Sequence, residues 1–580
     1  MEIVRLKIEN FRGIKKSELF FNAHTVLVGD NNVGKSTVLE AIDLTLGPDR
    51  LSKYPIINEH DFYAGEYLIA DKSVEINIET VIINLSDEQI RHFYTNIEWW
   101  NLENKLFVNE ASKTGNKNVV AALRVAFKGY YDKEEDDFIG NTYFCNPVEA
   151  TEEQSRFGKN DKRLCGFLYL RTLRTGSRAL SLERGSLLDL ILKLMELRPQ
   201  MWEDILTQLR DLSVAEKPEL GISGVLENIQ SAIREIVPVE WAENPKLLVS
   251  NLTREHLRHI LTVFIGTGAT ASDGTKYSAP FQHQGTGTIN ALVLVLLSMI
   301  ADLKQNVIFA MEEPEIAIPP YTQKRIINSI REKSAQAIFT SHSPYVLEEF
   351  DPMQVLVLNR EKDGNLKGFP ANYPPTIKPK SYRGEFRRRF CEGLLSRRVL
   401  ITEGRTEYDS FPACAKRLNE LHPDDFKTLD ALGITIIDAE TETQVAAIGG
   451  FYKGLGKEVF AVFDKQSAES LTEINANVHH AFEAQEKGFE KVLLNGISIN
   501  VLKKYANALE DGEEWPAHIT PKPSTCSSDD EYKDIMFKFL KYSKGSGIAA
   551  DLLSSCNKKE EMPEYIVTTI ESITGLIELV

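Results

Sequence analysis

The chain has 580 residues, of which 42% are hydrophobic and 26% charged, and it carries a formal net charge of −17. That length exceeds what one core supports and predicts three or four domains. The acidity argues against a protein that coats nucleic acid through its overall charge and leaves that role to local basic patches. Six cysteines, Cys145, Cys165, Cys391, Cys414, Cys526 and Cys556, form no CxxC pair. Their scatter suggests neither a zinc site nor a disulfide framework and fits the reducing cytoplasm. The opening "MEIVRLKIENF" breaks its apolar run with charges, unlike a signal peptide. The longest apolar run, Ala291–Ala301, is about half a membrane span. It reads as a buried helix, and no membrane partner is expected.

In chain order, Val4, Leu6 and Ile8 alternate with Arg5, Lys7 and Glu9, the period of a strand. "HTVLVGD" (His24–Asp30) is a strand entering a turn. From Gly34 the pattern turns helical, with Val38, Leu39, Ala41, Ile42 and Leu46 on one side and Gly47 as C-cap. "SVEINIETVIINL" and "VVAALRVAF" are strand-like. Between Ser186 and Val237 three amphipathic runs predict a helical insertion. "LTVFIG" (Leu261–Gly266) returns to strand character. Lys362–Ser381, rich in Pro, Gly and Lys, reads as a connection closing the first part of the chain. After Val399 strands and helices alternate, "RVLITEG", a helix from Thr406 to about Leu421, "GITIIDAE", a helix, then "EVFAVFD". That order implies a parallel sheet. The expected segments are 1–180, 181–240, 241–390 and 391–580, and the fold class is α/β.

"GDNNVGKS" (Gly29–Ser36) fits the phosphate-loop pattern G-x-x-x-x-G-K-[S/T], with a strand before it and a helix after. Its glycines let the backbone wrap phosphates with N–H groups inward. Lys35 would pair with the β/γ-phosphates and Ser36 would hold Mg²⁺. Gly29, Asn31, Asn32, Gly34 and Thr37 complete the expected ATP-binding set. "NVIFAMEEPEIAIPP" is a buried strand ending on Glu312 and Glu313, and adjacent buried carboxylates call for a cation or a proton. Glu312 is assigned to the Mg²⁺ shell and Glu313 to orienting the attacking water. His342, in "TSHSP", ends a further strand, where open α/β sheets bind ligands, and is assigned to sensing the γ-phosphate.

"IENFRGI", "GDNNVGKS", "EEPE" and "TSHSP", in this order, resemble the ABC-type ATPases of the SMC/RecF class. In that class two heads sandwich ATP, and a signature loop from one head closes the other's site. The matching segment here is "HQGTGT", so Gly285, Thr286 and Gly287 are assigned to the nucleotide. The loop departs from the usual LSGGQ-like form, and "EIAIPP" departs from the segment after the catalytic Glu. No long coiled-coil heptads interrupt the head.

The C-terminal third holds a second acidic constellation. Glu403 ends a strand, Gly404 permits a tight turn, and Glu407 lies on the next helical turn. Asp464 ends another apolar strand, "VFAVFDKQ". Acids at neighbouring strand ends can hold Mg²⁺ or Mn²⁺, and two such metals would drive phosphodiester cleavage. This arrangement resembles the Toprim fold, whose strand-end Glu is followed by a D-x-D. Here Gln466 stands in place of the second Asp. An ABC head followed by Toprim resembles the OLD (overcoming lysogenization defect) family of endonucleases, which includes relatives in the Gabija anti-phage system. "YLRTLRTGSRALSLERGSLLD" and "EEPEIAIPPYTQ" are similar to its stand-alone class.

That resemblance implies a metal-dependent DNA endonuclease with an ATPase head, acting in defence against phage. It implies a homodimer or higher homo-oligomer through the helical insertion, and catalytic and metal residues Glu403, Glu407, Asp464 and Glu490 with Lys544. Mg²⁺ is the expected metal, with Mn²⁺ or Ca²⁺ as alternatives at the Toprim site. An operon-encoded partner protein is not identifiable from the chain. Arg171, Arg174 and Arg178 could serve ATP, the dimer interface or DNA, or be plain solvated charge. The basic run Arg383–Arg389 is the better candidate for backbone phosphate contacts. The alternative readings are a non-nuclease, ATP-dependent DNA clamp of RecF type and a Toprim primase or topoisomerase-like enzyme.

Overall fold

The structure, a computed structural model, describes residues 1–48, 56–109, 116–146, 154–170, 180–183, 186–210, 222–234, 253–303, 307–315, 319–372 and 385–578. Arg171, Arg174, Arg178 and Arg383 lie outside the described residues. The chain divides into two compact units. One comprises Met1–Val4, Leu39–Asn58 and Ile78–Phe339, and the other Arg5–Val38, Glu59–Asn77 and Thr340–Val580.

In the first unit, strand Phe167–Leu170 pairs in parallel with Ile308–Glu312 in the register Phe167↔Ile308 to Leu170↔Met311. Val307–Met311 are buried, so the strand reads as an unbroken apolar run, as a strand covered on both faces does. The long strand Val119–Asp132 pairs antiparallel with Asp137–Phe144 and with Ile97–Asn101. The expected helical insertion contains helices Leu187–Leu194, Arg198–Arg210 and Ile222–Arg234. Leu182, Trp202, Leu206 and Leu257 make a small core there. Arg258 lies over the Trp202 ring at 5.1 Å and meets Asp189 at 3.2 Å.

Two expectations in this unit need correction. The apolar run Ala291–Ala301 does lie on a helix, Thr286–Leu303, but the helix is not buried all round. Ile289, Val293 and Ile300 are buried, whereas Val295 and Met299 are exposed. Only one stripe of it meets the core. The strand expected over Leu261–Gly266 runs instead over Phe264–Thr270, in a hairpin with Lys276–Pro280. The helix Arg254–Ile260 reaches too close for an earlier start, and its last turn takes the Leu261 N–H onto the Leu257 carbonyl.

The second unit contains two sheet regions. Near the N-terminus, the antiparallel pair runs in the register Arg5↔Phe20 to Phe11↔Ile14. Strand Ile14–Phe20 pairs in parallel with Asn365–Pro370, which pairs antiparallel with Val355–Arg360, which in turn lies parallel to Thr25–Val28. The segment Lys362–Ser381 is therefore not a connection from its start. Asp363 and Gly364 (φ +88°) form a hairpin turn, with Asn365 N–H donating to Asp363 Oδ1 at 3.0 Å, and a strand follows.

The C-terminal sheet has four parallel strands in the order Ile434–Asp438, Arg398–Thr402, Glu458–Phe463, His480–Glu483. Parallel strands need crossovers, and helices Arg405–Leu421, Glu442–Gly454 and Ala468–Asn477 supply them. Helices Ile499–Asp511, Asp529–Tyr542, Ile548–Ser554 and Glu564–Glu578 add to the core, which includes Leu400, Phe411, Phe460, Leu493, Ile535 and Ile570.

Candidate active site

Strand Arg398–Thr402 is buried throughout and bonded on both edges, so its C-terminal end is fixed in the middle of the sheet. Glu403 follows directly, and Gly404 is the N-cap of helix Arg405–Leu421. A Cβ on Gly404 would lie 3.3 Å from Glu407 Oε2, so the glycine leaves room for that carboxylate. Asp464 follows the neighbouring strand Glu458–Phe463 and is buried. Its backbone N–H donates to Glu403 Oε2 at 3.2 Å. Gln466 Nε2 donates to Glu403 Oε2 at 2.9 Å and to Asp464 Oδ1 at 3.1 Å. The N–H of Gly488 holds the other Asp464 oxygen at 2.6 Å.

A second pair sits beside the first. Glu407 and Glu490 are both buried. Glu490 Oε1 accepts from Thr406 Oγ1 at 3.0 Å and meets Lys544 Nζ at 3.4 Å. Glu490 and Lys544 thus form an ion pair at the rim of the site, with the Lys544 side chain 53% exposed. Burial, then repulsion from Asp464, pushes Glu403 up to about 7. Burial also pushes Glu407 up to about 8, with Glu403 and Glu490 adding to it. Glu490 moves the other way: burial opposes, but its own backbone N–H, Lys544 and Thr406 together lower it.

Among the described residues, no three His, Cys, Asp or Glu side chains are gathered closely enough to hold a metal ion. The four acids expected as one ligand set act on one another electrostatically, Glu403 on Glu407 more than Glu490 does, without three of them closing on a common point. Like charges without a cation repel, and Glu403, Asp464 and Glu490 have each taken hydrogen-bond donors. The donor chemistry nevertheless fits a hard divalent cation. Two carboxyls are held well above their ordinary range, and Gln466 Oε1 is buried with no hydrogen-bond partner.

The phosphate loop lies in the same unit. Strand Thr25–Val28 leads into it, and helix Lys35–Leu46 leaves it. Gly29 (φ +151°) could not carry a side chain, since a Cβ would lie 2.7 Å from the Leu358 carbonyl. Asn32 (φ +63°) and Gly34 (φ +120°) turn the loop. Lys35 Nζ donates to the carbonyls of Gly29 and Asp30 at 2.8 and 2.9 Å. Ser36 and Thr37 stand in the first helical turn, where free N–H groups and the helix dipole favour phosphate. His342 follows Ser341, whose N–H bonds the Leu27 carbonyl at 3.3 Å, so it belongs to the strand end beside the loop. Glu312, Glu313 and the 285–287 segment belong to the other unit. There Tyr169 donates its hydroxyl to Glu312, and Glu313 takes φ +45°, uncommon outside glycine. Gly285 precedes helix Thr286–Leu303, which Thr286 and Gly287 begin.

Residues 1–162 and 193–347 match the family described as AAA ATPase domain. Residues 394–465 match the overcoming lysogenization defect protein-like TOPRIM domain. The chain belongs to the AAA ATPase domain family, and with its Toprim module it is an OLD-family ATPase–Toprim protein. An OLD nuclease of Thermus scotoductus is 23% identical over 499 residues, spanning 80% of this chain and 81% of the relative. The SMC head domain from Thermotoga maritima is 13% identical, with 64% of this chain and 99% of that one covered and a TM-score of 0.29. An Smc head domain from Pyrococcus furiosus is 12% identical, covering 63% and 96%, with a TM-score of 0.31.

Several residues in contact with these acids or with the phosphate loop carry no motif in sequence. Thr406, Gly488 and Gln466 act through hydrogen bonds to acids, and only Gln466 was visible, as a departure. Lys457 is another. It is buried at the entry of strand Glu458–Phe463, donates to the Ser396 carbonyl at 2.6 Å, and is lowered to about 8 by burial despite the attraction of Asp30. A cavity of about 390 Å³ flanks the phosphate loop here, lined by Asp30, Asn31, Asn32, Arg360, Arg397 and Lys457 among others. In the basic run Arg387 donates to the Phe350 carbonyl, Arg388 pairs with Glu348 at 3.1 Å, and Arg389 lies over the Tyr408 ring at 4.8 Å.

Proposed function

We propose that this protein is an ATP-controlled, divalent-metal-dependent DNA endonuclease whose Toprim module cuts or nicks DNA. The observation that carries the reading is the electrostatic imbalance at the acidic centre. Glu403 and Glu407 are raised to about 7 and about 8 within reach of Asp464 and Glu490. A divalent cation is the group that would relieve it. A cation bound there would polarise the scissile phosphate and acidify a bound water. Glu403 and Asp464 would hold it, with Glu407 and Glu490 available to a second. Lys544, already paired with Glu490, would offer its ammonium to charge developing on the phosphate. Gly488 fixes one Asp464 oxygen and so directs the other.

ATP binds the phosphate loop in this reading, with Lys35 leaving the Gly29 and Asp30 carbonyls for the phosphates, Ser36 serving Mg²⁺ and His342 sensing the γ-phosphate. Nucleotide control runs through contacts within one unit. Asn359 Nδ2 donates to the Gly456 carbonyl at 3.3 Å, and Lys457, beside Asp30, opens the strand that ends on Asp464. A homodimer is supported by the exposed apolar Val225 and Ile229, one helical turn apart in the insertion. The cytoplasmic, anti-phage role follows the OLD-family relationship, and among the described residues no helix is long and apolar enough to cross a membrane.

The test is cleavage of supercoiled plasmid across Mg²⁺, Mn²⁺ and Ca²⁺, with and without ATP. Glu403→Ala should abolish cutting, and unchanged cutting sinks the proposal. A non-nuclease DNA clamp is the second reading, favoured by Gln466 standing where a D-x-D pattern would have its second aspartate. It predicts ATP-dependent DNA retention and no cleavage with any metal.

A further inference from the structure

Gln466 occupies the position where a D-x-D pattern would place its second aspartate. Its amide touches both strand-end acids, at 2.9 Å from Glu403 Oε2 and 3.1 Å from Asp464 Oδ1. The same Nε2 also donates to the Asp464 carbonyl at 3.2 Å, and the Gln466 backbone N–H is anchored on Glu483 Oε1 at 2.8 Å. The other end of the amide, Oε1, is buried without a partner among the described residues. An orphaned buried acceptor costs roughly 1–3 kcal/mol. The orientation seen is therefore held by the Nε2 contacts to the acids and not by its oxygen.

Rotation of the amide about its last torsion exchanges its two ends. Oε1 would then stand about 3 Å from one oxygen of Glu403 and one of Asp464, where Nε2 stands now. Oxygens sharing an octahedral Mg²⁺ at about 2.1 Å are spaced by about 3 Å along each edge. The amide oxygen would thus stand one such edge from each of the two acids. In the metal-free protein the amide instead presents its N–H groups to the acids and offsets their repulsion.

We propose that Gln466 is an amide-oxygen ligand of the cation held by Glu403 and Asp464, switching from hydrogen-bond donor to metal ligand as the cation enters. This rests on the metal reading of the acidic centre and adds to it. The substitution keeps a third oxygen while withholding a third negative charge. The site would therefore hold its cation more weakly than one with aspartate there, and give it up more readily.

The test is Mn²⁺ binding followed by electron paramagnetic resonance on the full chain, without DNA, with Eu³⁺ luminescence lifetimes to count bound waters. Gln466→Leu should weaken Mn²⁺ at least ten-fold and add about one inner-sphere water. Gln466→Asp should bind Mn²⁺ several-fold more tightly than the wild type, since it restores a charged oxygen. Circular dichroism in EDTA checks that both variants fold. Wild-type affinity and hydration in both variants overturn the assignment. Weaker binding by Gln466→Asp than by Gln466→Leu also overturns it, because it makes the amide a donor only. A wild type that binds a nucleotide analogue but no Mn²⁺ overturns the metal reading itself, and this inference with it.

Discussion

Glu407→Gln in metal-free protein tests the electrostatics of the centre without relying on activity. Glu407 is buried and held at about 8, against an ordinary value of 4.5. Between those values the folded state binds a proton that the unfolded state has lost, so stability falls as pH rises through the window. Full ionisation of a carboxyl held about 3.5 pH units too high costs ~5 kcal/mol, at 1.36 kcal/mol per unit. Glutamine keeps the shape of the neutral acid and does not titrate. Near pH 5 the variant should match the wild type to within about 1 kcal/mol, and by pH 8.5 it should be more stable by ~2–5 kcal/mol. Glu403, held at about 7, retains a pH dependence of its own in both proteins. The assay is hydrogen exchange of helix Arg405–Leu421 in EDTA, corrected for intrinsic rates, at both pH values. Equal protection at pH 8.5, or a larger difference at pH 5, would refute the reasoning. Saturating Mn²⁺ should reverse the order, since the wild type alone keeps all its carboxylates.

Lys457→Met removes the buried ammonium beside Asp30 and its bond to Ser396. It should leave Mn²⁺ affinity without ATP within about three-fold and abolish any change on adding ATP, measured by the same resonance titration. Gly29→Val would drive a Cβ to 2.7 Å from the Leu358 carbonyl at φ +151°. Binding of a fluorescent ATP analogue should fall by roughly 100-fold or more. Gly393→Ala would bring a Cβ to 2.5 Å from the Tyr452 hydroxyl, which donates to the Phe390 carbonyl at 3.0 Å. Overpacking of this kind costs about 1–3 kcal/mol, and a lowered urea midpoint with unaltered ATP binding would register it.

The parts legible in sequence were those whose chemistry has a fixed spacing. The phosphate loop, the strand-end acids and the parallel β/α alternation each follow from local rules. Helix Arg405–Leu421 was expected within one residue of its start because Gly404 and the apolar period both mark it. The misses have a different cause. The hairpin at Asp363–Gly364 and the linker expected there use the same residue types, and only the partner strand Val355–Arg360 decides between them. The exposed face of helix Thr286–Leu303 was hidden because Val295 and Met299 look the same in sequence whether covered or not. Lys457 has no motif because its role comes from Asp30, more than 400 residues away. The hydrogen bonds that Thr406 and Gln466 give the acids, and the Lys544 ion pair, come from positions that no spacing rule encodes.

The strand Glu458–Phe463 joins the two chemistries. Lys457 stands at its entry, against the phosphate loop, and Asp464 at its exit, in the acidic centre. Val459–Phe463 are wholly buried and bonded to parallel neighbours on both edges. A close-packed strand of that kind does not absorb a displacement along its length of about 20 Å but passes it on. A nucleotide that draws Asp30 or Lys35 away from Lys457 changes the balance of charge at the entry. Under the proposed nucleotide control, the exit would then shift relative to Glu403, which follows a different strand. Since Gln466 spans that pair, a small shift alters whether three oxygens can share one cation. Nucleotide control would therefore act on metal affinity first and on cutting through it, so the two should change in the same direction and by similar factors when ATP is added.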